Sequence, residues 1–158
     1  MKIDDEVLAV ILALVTVSSI FALAVSLPRQ GESFLAIGLL NERCKIGDYP
    51  RYAVAGQPIR LCIFLANHLG EPALLKVVAK LGNSSMLPTN TTPLNTTPIY
   101  SFTVLLPDKA NTTRLVNVSV NVVGKVALVF ELWRYSVENH TWVYTGRWVH
   151  LYIRVVGG

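Results

Sequence analysis

Charge is scarce in this sequence and scattered beyond its first six residues: 15% of its 158 residues are Asp, Glu, Lys or Arg. Asp48, Glu71, Asp108, Glu131 and Glu138 are isolated acids, so no carboxylate pair for glycosidic acid–base work is indicated. No G-x-S-x-G elbow, P-loop or H-E-x-x-H occurs. His68 and Glu71, three apart around a Gly-Glu-Pro turn, could ligate a metal with Asp48, but a solvated turn histidine explains the same spacing. The expectation is no enzyme, no catalytic residue, no metal and no cofactor. The cations are scattered singly without a recognised motif, which argues against nucleic acid.

Charge is absent altogether from Val7 to Leu27, VLAVILALVTVSSIFALAVSL. At about 1.5 Å per residue this run matches a hydrocarbon core of about 30 Å. Ala22-Leu23-Ala24 resembles a signal-peptidase site, but Met1 to Glu6 sets Lys2 against Asp4, Asp5 and Glu6, whereas signal peptides begin basic. The run is therefore expected to be a retained anchor. Arg29, Arg43 and Lys45 follow it while Lys2 stands alone before it, so the positive-inside bias opposes an outward C-terminal part.

Six sequons outweigh that bias. Asn83, Asn90, Asn95, Asn111, Asn117 and Asn139 are each followed two positions on by Ser or Thr, six of the nine Asn, and all lie behind the run. Glycosyl transfer takes place on the outer side of a membrane, so residues 29–158 are placed outside. That segment carries thirteen Lys/Arg against seven Asp/Glu, a net +6. A basic exterior suits anionic lipid headgroups, acidic glycans or acidic proteins.

Beyond residue 30 no stretch has a 3.6-residue period. Val116 to Val122, Val126 to Leu132 and Val149 to Val155 alternate apolar with other residues, as do Ile59 to Leu65 and Leu75 to Leu81, the last with Lys76 and Lys80 facing out. Tyr100 to Leu106 and Ser33 to Leu40 complete about seven strands. Short, evenly spaced strands predict an antiparallel β-sandwich of immunoglobulin-like type. The stretch Asn83 to Pro98 holds three sequons and three prolines without periodicity, and is expected to be a mobile, glycan-bearing loop.

Cys44 and Cys62, the only cysteines, are an even pair beyond the run and are expected to form a disulfide; two reduced thiols are the alternative. In the C-terminal hairpin, a turn at Ser136 to His140 would pair Tyr135 with Trp142 and Trp133 with Tyr144. Trp148, His150, Tyr152 and Arg154 would continue that face, opposite the aliphatic stripe. Trp133, Tyr135, Trp142, Tyr144, Trp148 and Tyr152 are thus a candidate binding face for sugar rings or a partner protein. Cross-strand pairing or inter-sheet burial would give the same pattern.

The segments I-G-D-Y-P (46–50), V-A-G-Q-P-I-R-L (54–61), A-N-H-L-G-E-P-A (66–73) and K-V-V-A-K-L-G (76–82) resemble the archaeal membrane-protein family called domain of unknown function 1616. The resemblance implies an outward-facing β domain on an archaeal cell surface, and no activity. Gln57 stands where that family usually has an acid, and the several N-terminal helices of longer members are missing.

The expected organisation is a tip (1–6), a transmembrane helix (7–27), a linker (28–32) and an extracellular β-sandwich (33–158). The chain reads as a single-pass, N-glycosylated cell-membrane protein acting by binding or structural attachment. Its expected partners are membrane lipid, other envelope or membrane-complex proteins, or surface glycans. The alternatives are an accessory subunit or anchor of a larger envelope assembly, for which Ala9, Ala13, Ala22 and Ser18-Ser19 give a small-residue hint, and a glycan- or peptide-processing enzyme.

Overall fold

A computed structural model describes residues 4–26 and 32–158. Residues 1–3 of the expected tip, Leu27 of the expected span and 28–31 of the expected linker lie outside them. The chain divides into two compact units, Met1–Glu32 and Ser33–Gly158.

Unit 1 holds one helix, α1 (Asp5–Ser26), with Asp5 and Glu6 in its first turn, where carboxylates oppose the positive end of the helix dipole. Its hydroxyls turn back on the backbone: Thr16 donates to the Leu12 carbonyl and Ser19 to the Val15 carbonyl, both at 2.8 Å. Described side chains in α1 are exposed, and they omit Phe21 and Leu23 to Ser26. Over the described residues no helix is long and apolar enough to cross a membrane.

Unit 2 is a β-sandwich of eight strands: β1 (Phe34–Leu40), β2 (Tyr52–Val54), β3 (Pro58–His68), β4 (Ala73–Gly82), β5 (Tyr100–Leu106), β6 (Asn111–Ser119), β7 (Gly124–Ser136) and β8 (Thr141–Val156). One sheet has the order β1-β3-β6, the other β2-β8-β7-β4-β5. With β1, β3 and β6 facing β8, β7 and β4, this is the immunoglobulin strand arrangement. Alternation explains the core. Ile59, Leu61, Ile63 and Leu65 of β3 meet Leu75, Val77 and Ala79 of β4 and Leu128, Phe130 and Leu132 of β7, all buried.

The structure departs from the expected strand pattern in three places. An eighth strand, β2, pairs parallel with β8, so the sandwich is not wholly antiparallel. Its three residues between Pro50 and Gly56 are too few to show a period. The valine stripe of β6 ends at Val120, and Val122 is exposed because the chain there crosses between sheets. Lys80 points away from the core as expected, yet it is buried, because another segment covers it.

The loop between β1 and β2 is locked at both levels. Cys44 is bonded to Cys62, whose Cα lies 5.1 Å away on the outer side of β3. The buried Asn41 side chain donates to the Gly47 carbonyl (2.7 Å) and accepts from the Arg43 and Lys45 amides (2.9 and 3.1 Å). Tyr49 donates its hydroxyl proton to the Leu39 carbonyl at 2.7 Å.

Candidate functional site

The outer face of the five-stranded sheet carries the unusual side chains, because odd residues of β7 point away from the core. Tyr135 lies opposite Trp142 and Trp133 opposite Tyr144, with ring centroids 5.3 and 5.4 Å apart. The register then shifts between Glu131 and Trp133. Thr145 steadies this bulge by donating to the Leu132 carbonyl at 2.7 Å. Trp148, His150 and Tyr152 continue the row, with successive centroids 5.4 and 5.0 Å apart.

The segment 83–98 lies across the middle of this face. Sequence reasoning made it a mobile excursion, and the structure corrects that: it is strapped down. Leu94 is buried against Ala127 and Val129, with Leu87 and Trp148 beside them. Beneath Leu94 a buried ion pair joins Lys80 to Glu131 at 2.7 Å. The Leu94 amide donates to Glu131 Oε2 at 2.6 Å, and Lys80 Nζ donates to the Leu94 carbonyl at 2.8 Å. The Trp133 indole donates to Glu131 Oε1 at 3.2 Å. Glu131, an isolated acid in the sequence, is therefore held by three partners in a buried polar cluster, as a fully buried carboxylate must be. The signal available was its position on the outward parity of β7, with Lys80 on the outward parity of β4.

Further along, Tyr144 donates to the Thr89 carbonyl at 2.7 Å. Burial, and then the negative charge of Glu131, push its pKa up to about 12. Gly146, at φ +78°, lies under the Asn90 carbonyl oxygen, where a Cβ would overlap it. The ladder is thus neither wholly open nor inter-sheet core. Trp148 and Tyr144 are engaged by the strap and Trp133 by Glu131, while Tyr135 and Trp142 are half-exposed beyond them, with Lys76 Nζ 4.6 Å from the Trp142 ring centroid.

That free end borders an open cleft of about 820 Å³ lined by Phe34, Glu71, Arg134, Tyr135, Glu138 and Val143 among others. Arg134 and Glu71 pair across it. His68 stacks on Phe34 (4.7 Å), and Asp48 lies in the β1–β2 loop at the other end of the sandwich. His68, Glu71 and Asp48 are therefore not brought together, and no metal-binding cluster occurs among the described residues.

Within the segment 66–73, Asn67 and Gly70 hold the turn between β3 and β4. Asn67, fully buried, donates to the Glu71 and Leu106 carbonyls at 2.9 Å and accepts from the Leu69 amide. Asp108 accepts from the Gly70 amide. All six sequon asparagines are exposed, whereas of the other three, Asn41 and Asn67 are buried.

No protein-family model matches the chain, and no curated protein matches it. Among solved structures, it is similar to the CARDB domain of a Pyrococcus furiosus protein, in complex with di-metal ions, at 15% identity and TM-score 0.52 over 83% of this chain and all of that one. Native alpha-2-macroglobulin from Escherichia coli, from domain MG7 to the C-terminus, shares 16% identity at TM-score 0.46, with 79% of this chain covering 17% of that one. A beta-glucosidase from Listeria innocua in complex with isofagomine shares 9% identity at TM-score 0.48, over 82% and 17%. The chain thus spans about one sixth of the macroglobulin and glucosidase chains. What the likeness to the CARDB domain shows is the β-sandwich fold.

Proposed function

We propose that the chain is a single-pass, N-glycosylated cell-surface protein whose outer β-sandwich acts by binding or structural attachment and not by catalysis. The observation that carries the reading is the placement of its asparagines: every sequon Asn is open to solvent, while of the other three only Asn121 is exposed and Asn41 and Asn67 serve the fold from inside. A disulfide in the same unit agrees with an oxidising exterior. For the anchor, the support is the uncharged sequence run Val7 to Leu27, which extends past the described residues of α1; over the described residues alone no helix is long and apolar enough to span. No charge follows Glu6, and Thr16 and Ser19 satisfy their hydroxyls within the helix, as a span in lipid requires. The resemblance to the archaeal family, carried by segments between residues 46 and 82, fits this reading.

The binding surface of this reading is the free end of the ladder, Tyr135 and Trp142 with Lys76, which offers ring faces for sugars or a partner's side chains. The test is direct. Membrane fractions should hold the full chain beginning at Met1, carrying sugar that a glycosidase removes. Tyr135→Ala with Trp142→Ala should abolish retention on a surface-glycan array without unfolding the sandwich. A mature chain beginning at Val25, or six bare sequons, sinks the anchor and surface assignments.

A further inference from the structure

The excess positive charge of unit 2 is concentrated at one end. Arg43, Lys45, Arg51, Arg60, Lys125 and Arg154 lie where β1 and β8 finish and β3 and β7 begin, against only Glu42 and Asp48, and all eight are exposed. At the opposite end Lys76, Lys109, Arg134 and Arg147 are nearly balanced by Glu71, Asp108 and Glu138. The ion pairs among the described residues join Lys80 to Glu131 and Arg134 to Glu71, so none of the six cations is neutralised by one.

Three of them share a corner of the outer face. Lys125 of β7 lies directly opposite Arg154 of β8, which in turn lies beside Tyr52 of β2. Arg51 adjoins, its carbonyl accepting the Arg154 amide at 3.0 Å. Like charges directly opposite across two strands repel and destabilise the sheet. Here no acid interrupts the row. Aromatic rings flank the cations: Tyr52 is 69% and Tyr152 38% exposed, and Lys125 Nζ lies 5.5 Å from the Tyr152 ring centroid. Open clefts run on either side of Tyr52. One, about 610 Å³, is lined by Tyr49, Arg51 and Tyr152 with Asp48; the other, about 600 Å³, by Pro50, Tyr52 and Arg60 with Glu42 and Asp48. The Asn41 knot and the disulfide fix the loop that leads into the corner.

We propose that this corner, built on Arg51, Tyr52, Lys125, Tyr152 and Arg154, binds an acidic polysaccharide, with carboxylate or sulfate groups on the cations and sugar rings against the two tyrosines. A stable protein interface has an apolar centre, which the corner lacks, and the two clefts suit a chain of sugar units rather than a flat bilayer surface. The inference is independent of the ladder's free end, at the other end of the same face.

The decisive variant is Lys125→Glu in the full chain, kept in detergent. It replaces the like-charge pair with an attractive one opposite Arg154, so the thermal midpoint should rise while affinity for polygalacturonate and dextran sulfate falls at least about tenfold. Lys109→Glu, at the nearly balanced end, should leave affinity within about twofold of the parent. Binding of the parent should weaken with added salt and be absent for neutral dextran. The proposal is overturned if Lys125→Glu and the parent bind both polyanions equally. It is equally overturned if the parent retains neutral dextran as well, or binds only polyglutamate or anionic phospholipid vesicles.

Discussion

Removing Lys80 tests the strap most sharply. Its ammonium is 2.7 Å from Glu131, and both side chains are buried. At that distance and an effective dielectric of about 20 the attraction is about 6 kcal/mol. Most of that is offset by the desolvation of two ions, so the pair adds little net stability over an apolar equivalent. Breaking it on one side is another matter. Lys80→Met leaves the Glu131 carboxylate buried with only the Leu94 amide and the Trp133 indole as donors, and also orphans the Leu94 carbonyl. The expected loss is about 3–5 kcal/mol, a large share of the roughly 5–15 kcal/mol that holds a domain. Adding Glu131→Gln removes the buried charge and keeps an acceptor for the Leu94 amide, so the double variant should recover at least about half of that loss. Urea unfolding gives the energies, and hydrogen exchange at the Leu94 amide shows whether the strap has lifted. The reasoning fails if Lys80→Met costs under about 1 kcal/mol, as an exposed pair would, and the Leu94 amide stays protected.

Three further outcomes follow from the same geometry. Gly146→Ala must move the strap off the Asn90 carbonyl or strain a left-handed residue, so it should cost about 1–3 kcal/mol, seen as a lower unfolding midpoint. Cys62→Ser should cost about 3 kcal/mol or more, since it opens the link to Cys44 and places a hydroxyl in a fully buried site; equal midpoints with and without reductant in the parent would contradict it. Because Tyr144 has a pKa of about 12 in the fold against about 10 unfolded, its contribution is fully present below pH 10 and is lost as pH rises towards 12. Tyr144→Phe should flatten that part of the stability profile.

Much of the sandwich was legible because period-two alternation is a local property. Ile59 to Leu65 and Val126 to Leu132 declare a buried face without reference to any neighbour, and the cross-strand pairs Tyr135/Trp142 and Trp133/Tyr144 follow once the turn is placed. The strap was not legible, because its order comes from partners 37 to 55 residues away: Leu94 on Glu131 and Thr89 on Tyr144. Prolines and sequons read as mobility when those partners are unseen. The burial of Lys80 and Glu131 was hidden for the same reason: parity places a side chain outside the sheet, but not outside the protein. The basic corner was hidden differently, since Arg51, Lys125 and Arg154 are far apart in sequence and meet only through strand order.

The parallel pairing of β2 with β8 bears on how the domain would carry load. The chain enters unit 2 beside β1 at one end of the sandwich and leaves it after β8 at the other. A pull between Ser33 and Gly158 therefore runs along the strands, and each terminal strand slides against its neighbours, so that its ladder must fail together and cannot unzip bond by bond. If β1 gives way, the slack stops at Cys44, and the covalent link to Cys62 hands the tension straight to the central strand of the smaller sheet. The bond thus sets a limit on extension, beyond which only rupture of β3 or β8 can lengthen the molecule.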